Sequence, residues 1–111
     1  MYADGRNGAI QNYKKAFNWY KLAAQKGVPE AQRGLGDAYA KGQGVQQDYI
    51  QAHMWINIAK TQMNQQNVSN TVRSIGDSIM LSKLSNIEAN MSSYQIELAQ
   101  DLALEWMESH Y

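Results

Sequence analysis

Residues Leu35–Ala59 read LGDAYAKGQGVQQDYIQAHMWINIA, and the punctuation of this stretch decides the fold. Leu35, Ala38 and Tyr39 continue a stripe begun at Ala31, with the spacing of one helical face. Gly42-x-Gly44 then breaks the helix, because glycine accepts the left-handed backbone that closes a helical end. Asp48 stands where a short side-chain oxygen can accept hydrogen bonds from the orphaned amides of a new helix. Tyr49, Ala52, Ile56 and Ala59 follow at helical spacing. The stretch is helix, tight turn, helix.

Upstream, the same pattern occurs a second time. Tyr13, Ala16, Trp19 and Ala23 recur as Tyr49, Ala52, Trp55 and Ala59, each pair 36 positions apart. Tyr2–Ala9 also matches Tyr39–Val45, with one extra residue between the two glycines of the first copy. A period of this size is the mark of stacked helix pairs. By analogy with Asp48, Asn12 is expected to cap a helix carrying Tyr13, Ala16, Phe17, Tyr20, Ala23 and Ala24. Gly27 is expected to end it, and Pro29 to open the next helix, where its missing N–H is no loss. Ala31, Gly34, Gly36, Ala52 and Ala59 would let helices approach closely. Trp19, Trp55, Leu35 and Tyr39 would fill the space between them.

Leu35-Gly36-x-x-Tyr39-x-x-Gly42-x-Gly44-Val45-x-x-Asp48-Tyr49-x-x-Ala52-x-x-Trp55-x-x-x-Ala59 resembles the Sel-one-like repeat, a relative of the tetratricopeptide repeat. Ala16-x-x-Trp19-Tyr20-Lys21-x-Ala23-Ala24-x-x-Gly27 resembles the second half of a preceding copy. The likeness covers roughly residues 2–60. It implies an all-α fold of antiparallel helix pairs stacked into a right-handed superhelix. It also implies an adaptor or scaffold role of the kind found in bacterial members. Two departures stand out. The first copy lacks its leading helix, and Met63 replaces the expected terminal glycine of the second. Residues 1–63 are therefore read as one and a half repeats, and residues 64–111 as C-terminal capping helices of the same domain.

That second half has its own signals. Residues 61–69 are polar and amide-rich, as in a helix end and connector. Asn70 is placed to cap a long helix whose apolar stripe would be Val72, Ile75, Ile79, Leu84, Ile87 and Met91. Ser92-x-x-Gln95 has the capping-box form. The closing helix, about residues 93–109, presents Ile96, Ala99, Leu102, Ala103 and Trp106 on one face.

Composition narrows the function. Ten basic and ten acidic residues cancel, so no basic field invites nucleic acid. No apolar run approaches the roughly 18 residues of a membrane span. The absence of cysteine excludes disulfides, thiolate metal sites and cysteine nucleophiles. The start of the chain has no signal-peptide pattern. The compartment is periplasmic or secreted if such a peptide once preceded it, and cytoplasmic otherwise.

Catalytic and cofactor patterns are missing from the sequence, which is read as a non-enzyme with no cofactor and no metal site. His53 is expected to be a half-buried helix residue rather than a general base, since no nucleophile accompanies it. The partner is expected to be another protein or peptide. In repeats of this resemblance the first helix of each pair lines the concave groove, which places Glu30, Arg33, Asp37 and Lys41 as candidate partner contacts. The plainer alternative is a solvated face held by ion pairs along the helix, Arg33 to Asp37 to Lys41. Two other functions compete: an immunity or inhibitor protein plugging one toxin or enzyme, and a β-lactam-binding hydrolase. The chain lacks the cysteines and the Ser-x-x-Lys pattern that the hydrolase needs.

Overall fold

The computed structural model describes residues 6–65 and 70–110, and the side chains of 12–63 and 74–110. In chain order the helices are α1 (Arg6–Gln25), α2 (Pro29–Lys41), α3 (Tyr49–Gln65), α4 (Asn70–Glu88) and α5 (Ser93–His110). No strand occurs among the described residues, so the chain is all-α, as the repeat pattern predicts.

Local chemistry explains most of the boundaries. After α1, Gly27 adopts φ 88°; its N–H donates to the Ala24 carbonyl (3.0 Å) and the Val28 N–H to that of Ala23 (3.2 Å). Pro29 then opens α2 behind an extended Val28. Gly42 (φ 69°) and Gly44 (φ 79°) both lie in the left-handed region, which side chains beyond glycine enter only with strain. The Asp48 N–H closes this turn on the Tyr39 carbonyl at 2.9 Å. Asp48 Oδ1 then accepts from the amides of Ile50 (3.0 Å) and Gln51 (3.2 Å), capping α3. Before α5 the capping box is complete. Ser92 N–H donates to Gln95 Oε1 (2.9 Å), and Gln95 N–H donates back to Ser92 Oγ (3.2 Å).

The expected cap at Asn12 does not form, because α1 runs from Arg6 straight through Gly8 and Asn12. In the second copy two left-handed glycines and a returning amide stop the helix, whereas Gly8 of the first copy lies within α1. The motif residues Tyr2–Gly5 lie outside the described residues, as do residues 66–69 of the expected connector.

Helix α3 is the centre of the molecule. It packs against α2, α4 and α5, whereas α1 packs against α2. One apolar cluster joins Ala24, Ala31, Leu35, Met54, Trp55, Ile58 and Ala103 across α1, α2, α3 and α5. A second joins Ala52, Ile56 and Ala59 to Met80, Leu84 and Ile87 of α4. Two glycines on α2 admit large neighbours. A Cβ on Gly34 would meet the Tyr20 ring at 2.7 Å, and one on Gly36 would meet Ile56 Cδ1 at 2.6 Å.

Two packing expectations are overturned. Trp19 is 60% exposed, although its repeat partner Trp55 is 5% exposed. On α4 the inward stripe is Gly76, Met80, Leu84 and Ile87, while Ile75 and Ile79 face outward. Two steps of four back from Leu84 reach Met80 and Gly76, and Gly76 is where the Met63 side chain enters: a Cβ there would lie 2.6 Å from Met63 Cε. The Val72 side chain lies outside the described residues.

Candidate protein-binding surface

A groove follows the outer side of α2. One part of it, a cleft of about 180 Å³, is walled by Tyr13, Phe17 and Tyr20 of α1 and by Gly34, Asp37 and Lys41 of α2. A second cleft of about 160 Å³ lies between α2 and α4, lined by Asp37, Ala40, Lys41, Lys83, Asn86 and Ile87. Asp37 and Lys41 line both, so the two clefts meet along their shared wall on α2. One side of the groove is aromatic, the other polar.

The four candidate contact residues divide accordingly. Asp37 and Lys41 line both clefts, while Glu30 and Arg33 sit upstream on the same helix and line neither. The expected ion pairs along α2 are not the ones formed. Asp37 instead takes Lys83 of α4, Nζ to Oδ1 at 3.0 Å and to Oδ2 at 3.1 Å, with both side chains about one-third exposed. This pairing spans 46 residues and left no local signal in the sequence. Lys41 is exposed at the rim, its charge turned to solvent.

The aromatic wall is anchored from below. Phe17 meets Tyr39 edge-on, with ring centroids 5.4 Å apart and planes at 86°. Burial and then the neighbouring Asp48 carboxylate push the Tyr39 phenol above its ordinary value near 10. Tyr13 is exposed at the lip of this wall, and Phe17 is half-buried against the core.

His53 is not half-buried but fully enclosed, at 1% exposure. Its Nε2 lies 2.7 Å from Glu88 Oε2 at the end of α4, and its Nδ1 lies 3.1 Å from Asn57 Nδ2. The arrangement is consistent with Nε2–H donating to the carboxylate while Nδ1 accepts from the amide, a tautomer assigned from the network. Both ring nitrogens are engaged and no solvent reaches the ring. Such a histidine fastens α4 to α3 and has no free atom to offer a substrate.

The remaining residues singled out by the motif have packing positions. Leu35, Gly36, Ala52 and Ala59 are buried, and Trp55 meets Trp106 of α5 at 5.3 Å with planes at 68°. Trp106 also stacks on His110 at 4.0 Å. Among the described residues no three His, Asp or Glu side chains converge to hold a metal ion, and no helix is long and apolar enough to cross a membrane.

The family model of the Sel1 repeat matches residues 1–28 and again 29–62, more than half of the chain. The second match spans the α2–turn–α3 unit, in which Gly42, Gly44 and Asp48 set the turn. No curated protein and no solved structure gives a match. Sel1 repeats are helical modules that generally mediate contacts between proteins. A helix pair closed by Gly42-x-Gly44, capped by Asp48 and stacked through Trp55 is such a repeat, and this chain belongs to the Sel1 repeat family.

Proposed function

We propose that this chain is an adaptor or scaffold module that holds a segment of another protein in the groove along α2. In this reading residues 1–63 supply the repeats that build the groove's aromatic side. Residues 64–111 cap the array and lend α4 as the groove's far wall. The observation that supports it is the meeting of the two clefts on Asp37 and Lys41, between an aromatic wall and a polar one. A rigid aromatic face with charges at its rim suits a peptide segment: the rings supply apolar contact, and Lys41 selects for an acidic side chain. Because the groove is preformed by packed helices, little ordering cost falls on this chain when it binds.

Affinity capture with the intact chain as bait, read by mass spectrometry, tests the proposal. The paired variant carries Tyr13→Ala and Lys41→Glu, both at exposed positions, and circular dichroism checks that its helices persist. The expected result is one dominant partner, captured by the parent chain and lost by the variant. Equal capture by both chains would remove the groove from consideration as the binding surface.

A further inference from the structure

The molecule's charge is neutral only in sum. Helix α1 contains Arg6, Lys14, Lys15 and Lys21 and no acidic residue; α5 contains Glu97, Asp101, Glu105 and Glu108 and neither lysine nor arginine. These helices lie first and last in the chain, and each turns one face to solvent.

On α1 and the turn after it, Lys15, Trp19, Leu22 and Lys26 are all exposed and fall at i, i+4, i+7 and i+11. On α5, Glu97, Asp101, Leu104 and Glu108 fall at the same four steps, exposed in the same way. Both sets follow the four–three–four spacing by which one helix presents a continuous seam to another. Trp19 and Leu22 are among the most exposed large hydrophobic residues of the chain, at 60% and 63%, and Leu104 is 58% exposed. A tryptophan left in water on a stripe of that spacing is a feature the internal core does not use.

Laid side by side in parallel, the two stripes match position for position. Lys15 faces Glu97, Trp19 faces Asp101, Leu22 faces Leu104 and Lys26 faces Glu108. The indole N–H of Trp19 is a donor and the Asp101 carboxylate an acceptor. An antiparallel alignment would set Trp19 against Leu104 but leave the Asp101 carboxylate against Leu22, which has no donor to offer it.

We infer that the outer face of α1 docks on the outer face of α5 of a second copy of this chain, in parallel register, through this lysine–tryptophan–leucine–lysine seam. The contact pairs unlike faces, each absent from the groove along α2, so self-association leaves the groove open. Charge at both ends of the seam sets the register and makes association sensitive to salt.

Sedimentation velocity on the intact chain tests this across a concentration series, at low salt of about 0.05 M and at roughly 0.5 M. The expected result is association at low salt that weakens on the order of ten-fold at high salt. Two variants reverse the ends of one seam each: Lys15→Glu with Lys26→Glu, and Glu97→Lys with Glu108→Lys. Each alone should be monomeric, with unchanged circular dichroism since all four positions are exposed. Mixed, they should associate in equal amounts, because opposite charges then meet at both kinds of contact: the unaltered α1 of one variant on the unaltered α5 of the other, and the two reversed faces on each other.

A parent chain that stays monomeric at low salt would overturn the inference, as would variants that associate like the parent or fail to restore each other. A monomer that instead sediments with anionic lipid vesicles, and loses this with Lys15→Glu and Lys26→Glu, would assign the α1 stripe to a membrane surface and equally overturn self-association.

Discussion

Helices α1 and α3 carry the same motif 36 residues apart, yet one lies at the edge of the molecule and the other at its centre. Trp19 and Trp55 occupy equivalent positions. Trp55 is enclosed by the α1–α2–α5 cluster and the edge of Trp106; Trp19 meets Tyr20 at 5.5 Å and is mostly exposed. Phe17 and His53 are likewise equivalent. The phenyl ring packs on Tyr39, while the imidazole needs Asn57 and Glu88 to satisfy it. A repeat copies the helix and its spacing. It does not copy the neighbours, and burial belongs to the neighbours.

The sharpest way to break this comparison is to truncate both tryptophans. Trp55→Ala should cost about 3–5 kcal/mol in chemical denaturation, as buried aromatic truncations do. Trp19→Ala should stay within about 0.5 kcal/mol of the parent, as for other surface changes. Equal losses would mean that α1 and α3 are buried alike. Acrylamide quenching gives an independent reading: Trp19 should account for most of the readily quenched emission, and Trp19→Phe should remove that component.

Next in size is the pin that α3 has and α1 lacks. Glu88→Ala leaves the buried His53 Nε2–H without its acceptor and should cost about 1–3 kcal/mol. Lys83→Ala, which breaks the one-third-exposed pair with Asp37, should cost less than about 1 kcal/mol. If thermal melts ranked these two in the opposite order, α4 would be held to the repeats chiefly through α2.

The smallest contrast concerns the caps. Asp48→Ala should lower stability by about 1 kcal/mol, since two amides of α3 lose their acceptor. Asn12→Ala should be neutral or stabilising by a few tenths of a kcal/mol, because residue 12 is inside α1 and alanine is the better helix former. A comparable loss at both positions would restore Asn12 as a cap and shorten α1.

The repeat's internal signals were legible because their partners are close in the chain. Gly27, Pro29, Gly42, Asp48 and the Ser92–Gln95 box each act within a few residues, and each occupies the position expected of it. The candidate surface was legible only in part. Asp37 and Lys41 fall in the groove, but its aromatic wall comes from α1 and its far wall, with Lys83, from α4.

Sequence alone therefore determined most of the helix ends, though not the start of α1, together with the turn between α2 and α3 and the repeat family, because backbone geometry and capping are satisfied locally. Which faces those helices bury was decided only by the tertiary structure. The exposed Trp19, the inward turn of α4 onto Met80 rather than Ile79, and the enclosure of His53 by Glu88 depend on which helices lie alongside. Burial and long-range pairing are set by contacts between residues distant in the chain, and helical spacing has no term for them.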